Sequence, residues 1–110
     1  MDIKEEHRGG IFIVAPSGRV DSNTSNAFET TILGHAKQPL LLVDLSAVEY
    51  ISSAGLRVFL MLARKVKDAG GRLVLCGMGG SVRQVFDLAG FTALFAVEPS
   101  VEQGVARLSA

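Results

Sequence analysis

Two adjacent hydroxyls, Ser52 and Ser53, lie in the stretch Val48–Phe59, VEYISSAGLRVF. The segment opens on β-branched and aromatic residues and continues in a helical pattern, so the serines fall where a strand gives way to a helix. A serine there can do one of three things. As a cap it accepts from the free backbone N–H groups of the first turn and contributes about 1 kcal/mol, a task that needs only one serine. As a nucleophile it needs a base, and the supports are missing. S-S-A-G is not the G-x-S-x-G of a nucleophile elbow, and His7 and His35 stand in a polar terminus and at an expected helix end. As an acceptor of a phosphoryl group it needs only a position where added charge meets unpaired N–H groups and the positive end of a helix dipole. The third reading leaves catalysis to another protein, so the chain is expected not to be an enzyme and to need no cofactor or metal.

The elements that must position these residues follow from periodicity and turn chemistry. Ile11–Ala15 reads as a strand between turns at Arg8-Gly9-Gly10 and Pro16-Ser17-Gly18, with Ile3–Glu6 as an edge strand beside it. Ser22–Ala36 reads as a helix capped by Asp21 or Ser22, with Phe28, Ile32 and Leu33 at helical spacing. Leu40–Leu45 is apolar throughout, as in a strand covered on both faces. The central helix is expected over Ala54–Asp68, stopped by Gly70-Gly71, and Arg72–Cys76 is a second buried strand. Ser81–Ala89 follows as a short helix with Val82, Val85, Phe86 and Ala89 inward and Gly90 behind it. Ala93–Val97 reads as a last strand and Ser100–Leu108 as a last helix, with Ser100 as cap and Glu102 in its first turn. This alternation predicts an α/β fold, a single domain over residues 1–110, with a mixed, mostly parallel sheet of four to five strands and about four helices.

On a wheel of 100° per residue, Leu56, Phe59, Leu60, Ala63 and Val66 share the core side of the central helix. Arg57, Arg64, Lys65 and Asp68 share the other side, with Val58 at its edge and Met61 near its centre. Single exposed apolar residues are ordinary on protein surfaces. Equally, Val58 and Met61, flanked by Arg57 and Lys65, read as a face for docking a partner, since Met makes adaptable contacts. Spacing alone leaves both readings open.

Whole-chain properties narrow the classes. The 110 residues are 48% apolar, with Lys plus Arg and Asp plus Glu equal at eleven each. Such a balance gives no electrostatic case for nucleic acid or an anionic membrane as partner. No apolar stretch approaches the roughly 20 residues of a membrane span, and MDIKEEHRGG has no apolar signal core, so a cytoplasmic location is expected. Cys76 is the only cysteine, which excludes an internal disulfide and a cysteine-rich zinc site, and it reads as a small core residue. Gly77–Ser81, GMGGS, begins a G-x-G-x-x-G pattern, but Val82 stands at the third glycine position and no Gly-Lys-Ser/Thr follows. A tight turn is the expectation there. Asp21 serves as a helix cap on this reading, and His35 complements a helix C-terminus.

The run VDLSAVEYISSAGLRVFL resembles the signature of the STAS family, specifically the small anti-sigma factor antagonists of bacterial partner-switching systems. Asp44, Ser46, Val48, Ile51, Ser53, Gly55 and Leu56 match its pattern. SGRVDSNTS is similar to the family's Gly-x-x-Asp loop, with Asp21 at the acidic position, and GGRLVLCGMGGSVRQVFDLAGF resembles its later strand, loop and short helix. The resemblance implies a protein that binds a serine kinase of the histidine-kinase-like ATPase fold, itself an anti-sigma factor, and so releases the sigma factor. Phosphorylation of the antagonist by that kinase ends binding, and a metal-dependent serine phosphatase resets it. Carried over by position, Ser53 is the phospho-acceptor and Asp21 engages the kinase. Ser52, Gly55, Arg57, Val58 and Met61 complete the expected partner-facing group. Many members carry Asp before the acceptor; this chain has Ser52 there. Other readings within the resemblance are a ligand-sensing or scaffold module without a phosphate cycle, and a regulator of another output such as secretion.

Overall fold

Short β-branched runs alternate with amphipathic stretches, and each adopts the element its period favours. In the computed structural model, which describes residues 2–110, the order is β1 (Ile3–Arg8), β2 (Ile11–Val20), α1 (Ser25–Leu33), β3 (Leu40–Asp44), β4 (Ala47–Ile51), α2 (Ser53–Asp68), β5 (Arg72–Cys76), α3 (Gly80–Leu88), a 3-10 turn (Thr92–Leu94), β6 (Ala96–Glu98) and α4 (Val101–Ser109). The strands form one sheet in the order β1-β2-β3-β5-β6, with β4 also paired to β2. Only β1 runs antiparallel to its neighbour; the other pairings are parallel. The first half of β2 pairs with β3 and its second half with β4. One long strand therefore serves two short ones in succession.

Apolar residues on successive positions of the central strands supply both faces of the sheet. Val14, Leu41, Val43 and Leu75 lie under α1, α2 and α3 in one cluster, while Ile11, Ile13, Leu42, Val74 and Cys76 face α4 in another. A chain of aromatic rings ties the three helices together. Phe28 of α1 sits 5.3 Å from Phe59 of α2, and Phe59 sits 5.7 Å from Phe86 of α3. All three side chains are fully buried, each worth about 1.5–3 kcal/mol of apolar burial. On the opposite face α4 comes so close that a Cβ at Gly104 would stand 2.6 Å from Leu42 Cδ1.

The α/β class and the mostly parallel sheet are as expected, with six strands instead of four to five. The strand read before the serines is β4; it pairs with β2 and brings the count to six. Pro16-Ser17-Gly18 is no turn: β2 runs through it, with Gly18 at φ +90° and a register shift between Gly18 and Arg19. Such a bulge continues a strand while bending it. The helix α1 starts at Ser25, not Ser22, because the amides of Asn23 and Thr24 are drawn into a turn by Asp21. Residues 92–94 wind into the 3-10 turn, leaving only Ala96–Glu98 for the last strand. Ala89 is exposed, since α3 ends at Leu88 and only Val82 and Phe86 are fully inward.

The wheel of α2 also needs correction. Its buried residues are Gly55, Leu56, Val58, Phe59, Leu62 and Val66, a face turned by roughly 60° from the expected one. Val58 is 3% exposed and belongs to the core, so it is no part of an exposed docking face. Flanking by α1 and α3 widens the buried arc of α2 and encloses it. Leu60 and Ala63 move to half-buried positions, Met61 is half-buried, and Arg57, Arg64, Lys65 and Asp68 remain exposed. Leu62→Ala is expected to cost about 2–5 kcal/mol of stability, and Arg64→Ala less than about 0.5 kcal/mol, as read from urea denaturation. Equal effects would contradict this orientation of the helix.

Candidate functional site

The site is built at the start of α2, where three local choices meet. Ser52 holds an extended backbone, and its Oγ accepts the Gly55 N–H at 3.3 Å, so it is the N-cap. Its own N–H donates to Val20 O at 2.8 Å, which ties the helix start to the end of β2. Gly55 lies on the sheet side of the first turn; a Cβ there would stand 2.7 Å from Val20 Cγ1 and 3.1 Å from Ile51 Cγ2. Glycine lets the turn seat directly on these side chains. Ser53, the first residue of α2, is left exposed beside the occupied cap.

Asp21 follows β2 directly. Its Oδ1 accepts the Asn23 N–H at 2.9 Å and the Thr24 N–H at 3.3 Å, and its Oδ2 faces Arg19 Nε at 3.5 Å. Thr24 answers by accepting the Asp21 N–H and donating its hydroxyl to Arg19 O at 2.7 Å. The Asn23 amide is the largest influence holding the Asp21 carboxyl below its ordinary 3.8, with Thr24 and Arg19 adding to it. One oxygen is thus committed to the turn, while the other stays at the surface next to a cation.

Around these residues lies a patch that periodicity does not expose. The Arg19 guanidinium sits 4.4 Å from the centroid of the Tyr50 ring, a cation–π contact. Arg19 and Tyr50 are register partners across β2 and β4, next to the bulge. Tyr50 is among the few large apolar side chains left exposed, at 40%. The Ser81 hydroxyl donates to Glu49 O at 3.4 Å, joining α3 to β4. The signal available for Tyr50 was its place in the strand before the serines; its pairing with Arg19 depends on the register of two strands.

Of the expected site residues, Ser52, Ser53, Gly55 and Asp21 gather at the end of β2 and the start of α2. Arg57 and Met61 lie further along α2, exposed and half-buried, and Val58 points into the core. The histidines are elsewhere. His7 and His35 pack on Phe12 with centroids at 4.6 and 4.4 Å, at the opposite end of β2 from Val20 and hence about 25 Å from Ser52 along the strand. His35 pairs with Glu5 at 2.7 Å. Neither can serve Ser53 as a base.

Two further motifs are architectural. Asp44 Oδ1 accepts the Ser46 N–H at 3.1 Å, turning β3 into β4. Gly77 sits over this turn at φ +73°, where a Cβ would come 2.8 Å from Asp44 Oδ1, so the first glycine of GMGGS closes a packed corner. Cys76 lies beneath; burial first, then Asp44 and Glu102, push its thiol up to about 12, so the reactive thiolate is absent at neutral pH. Among the described residues no cluster of three His, Cys, Asp or Glu side chains can hold a metal ion, and no helix is long and apolar enough to cross a membrane.

Comparison with known proteins gives one family. A model of the STAS domain matches residues 2–104. A Bordetella bronchiseptica protein named as a candidate anti-sigma factor antagonist, BtrV, is 35% identical over 108 residues, covering 96% of this chain and 93% of its own. An anti-sigma F factor antagonist of Paenibacillus polymyxa is 25% identical, covering 99% of this chain and 93% of its own. The crystal structure of an anti-sigma factor antagonist from Mycobacterium paratuberculosis superposes with a TM-score of 0.91 at 26% identity, covering 99% of this chain and 94% of its own.

The Asp21 turn predicts a pH dependence of stability. A carboxyl lowered in the folded state stabilises fully above its unfolded value and loses that contribution as pH falls through the folded one. Asp21→Ala is therefore expected to be less stable than the parent at pH 7, with the gap shrinking as pH falls below the ordinary 3.8. Urea midpoints across that range check this; a gap independent of pH contradicts the charged role.

Proposed function

The chain belongs to the STAS family, and we propose that it acts as an anti-sigma factor antagonist switched by phosphorylation of Ser53. The observation that carries this reading is the division of labour at the start of α2. Ser52 already caps the helix, so a group added to the exposed Ser53 costs the fold no capping bond. The phosphate would stand where the first-turn amides and the helix dipole favour an anion. The chain acts as one unit in the cytoplasm and is not itself the enzyme. Support for that comes from the distance of both histidines from Ser53 and from relatives that carry regulatory names.

In the unmodified state the neutral hydroxyl lies within a docking face of Asp21, Arg57 and Met61, with Ser52 and Gly55 holding its position. The partner is a kinase that is also an anti-sigma factor, of the histidine-kinase-like ATPase fold. Bound there, the Ser53 oxygen attacks the γ-phosphorus of ATP. The O–P bond forms, the bond to ADP breaks, and the hydroxyl proton passes to a base of the kinase. The product carries nearly two further negative charges inside a contact surface where a neutral hydroxyl had been, and like-charge and desolvation costs release the pair. Hydrolysis by a metal-dependent serine phosphatase returns the hydroxyl.

Incubation with the cognate kinase and ATP is expected to add one phosphoryl group, and none in Ser53→Ala, by intact mass and peptide mapping; unchanged modification of Ser53→Ala overturns the assignment. Ser53→Glu is expected to weaken kinase binding at least tenfold, about 1.4 kcal/mol, in calorimetry. Met61→Glu should weaken the same complex while moving the melting temperature only slightly. A large fall in melting temperature would instead give Met61 a packing role.

A further inference from the structure

We propose that Arg57 is the intramolecular partner of the Ser53 phosphate, so that modification removes a cation from the docking face as well as adding an anion. The inference rests on the reading of Ser53 as acceptor and goes beyond it to name the group that receives the charge. Ser53 and Arg57 stand four residues apart on the unbroken helix α2, and both are exposed. Residues at that spacing are neighbours on a helix surface, about 5–6 Å apart at Cβ. Long helical side chains lean toward the N-terminus, which carries the guanidinium of the later residue back over the earlier one.

The other arginines are committed or out of range. Arg19 is held by Asp21 and the Tyr50 ring. Arg8, Arg83 and Arg107 pair with Glu6, Asp87 and Glu98, and Arg72 donates to the carbonyls of Arg107, Leu108 and Ala110. Of the arginines among the described residues, only Arg57 and Arg64 enter no ion pair or side-chain hydrogen bond. Arg64 lies eleven residues beyond Ser53, about 16 Å along the axis. Arg57 is thus the uncommitted guanidinium within reach, and its planar fork suits two phosphate oxygens at once. Before modification it faces the partner; after modification it is turned onto the phosphate.

The test uses the full chain with phosphoserine encoded at position 53, so it does not depend on any kinase. Phosphorus NMR follows the second ionisation of the phosphate with pH. That ionisation is expected about half a pH unit higher in Arg57→Gln than in the parent, restored toward the parent in Arg57→Lys, and unmoved in Arg64→Gln. Circular dichroism verifies that each variant folds, and Arg57→Lys retains a readout if the glutamine variant does not. Identical titrations for the parent and Arg57→Gln overturn the proposal, as does an equal shift from Arg64→Gln. Failure of the cognate kinase to modify Ser53 would overturn the earlier reading alone and leave this comparison to decide the role of Arg57.

Discussion

The close approach of helix α2 to the sheet at Gly55 sets the geometry of everything near it. With no Cβ, the first turn of α2 rests on Val20 and Ile51 at a distance that even alanine would crowd. The N–H of Ser52 then reaches Val20 O, and the helix starts at one defined height above the end of β2. Because the cap and the close contact sit on the sheet side, Ser53 can only face outward. The same seating turns Val58 and Leu62 into the core and leaves Arg57 on the free side. A packing constraint at one glycine thus separates the residues that build the helix from those that remain available to a partner.

Several residues that look like chemistry serve architecture, and the distinction rests on where their polar atoms are spent. Asp44 closes the corner from β3 to β4, with Gly77 fitted over it. Asp21 is divided: one oxygen builds the turn before α1, and the other stays at the surface beside Arg19. Cys76 is buried against the α4 side of the sheet and keeps its proton. The hydroxyl of Ser53 differs from all of these, because nothing in the fold of α2 requires it.

Much of this was legible from residue order, and the exceptions have physical causes. Leu40–Leu45 announces a strand buried on both faces, and Leu41, Leu42 and Val43 are fully buried as that pattern demands. Adjacent serines at a strand-to-helix junction disclose a cap with a residue to spare. Pro16-Ser17-Gly18 misleads because turn-forming residues also make bulges, and a bulge lets β2 bend on to meet β4. Helix α1 begins later than its spacing suggests because Asp21 draws nearby amides into a turn before it. The apolar residues of α2 do not by themselves mark its buried face, because Gly55 lies on the sheet-facing side and α1 and α3 cover the flanks. The contact of Arg19 with Tyr50 was invisible, since it depends on register between strands that lie far apart in the chain.

The cap itself has an electrostatic consequence. Aspartate and serine are nearly equivalent in capping a helix, so the residue at position 52 can gain or lose a charge with little effect on folding. This chain carries the uncharged member of the pair, Ser52. A substitution at position 52 can therefore retune the field around the neighbouring hydroxyl while the scaffold stays constant.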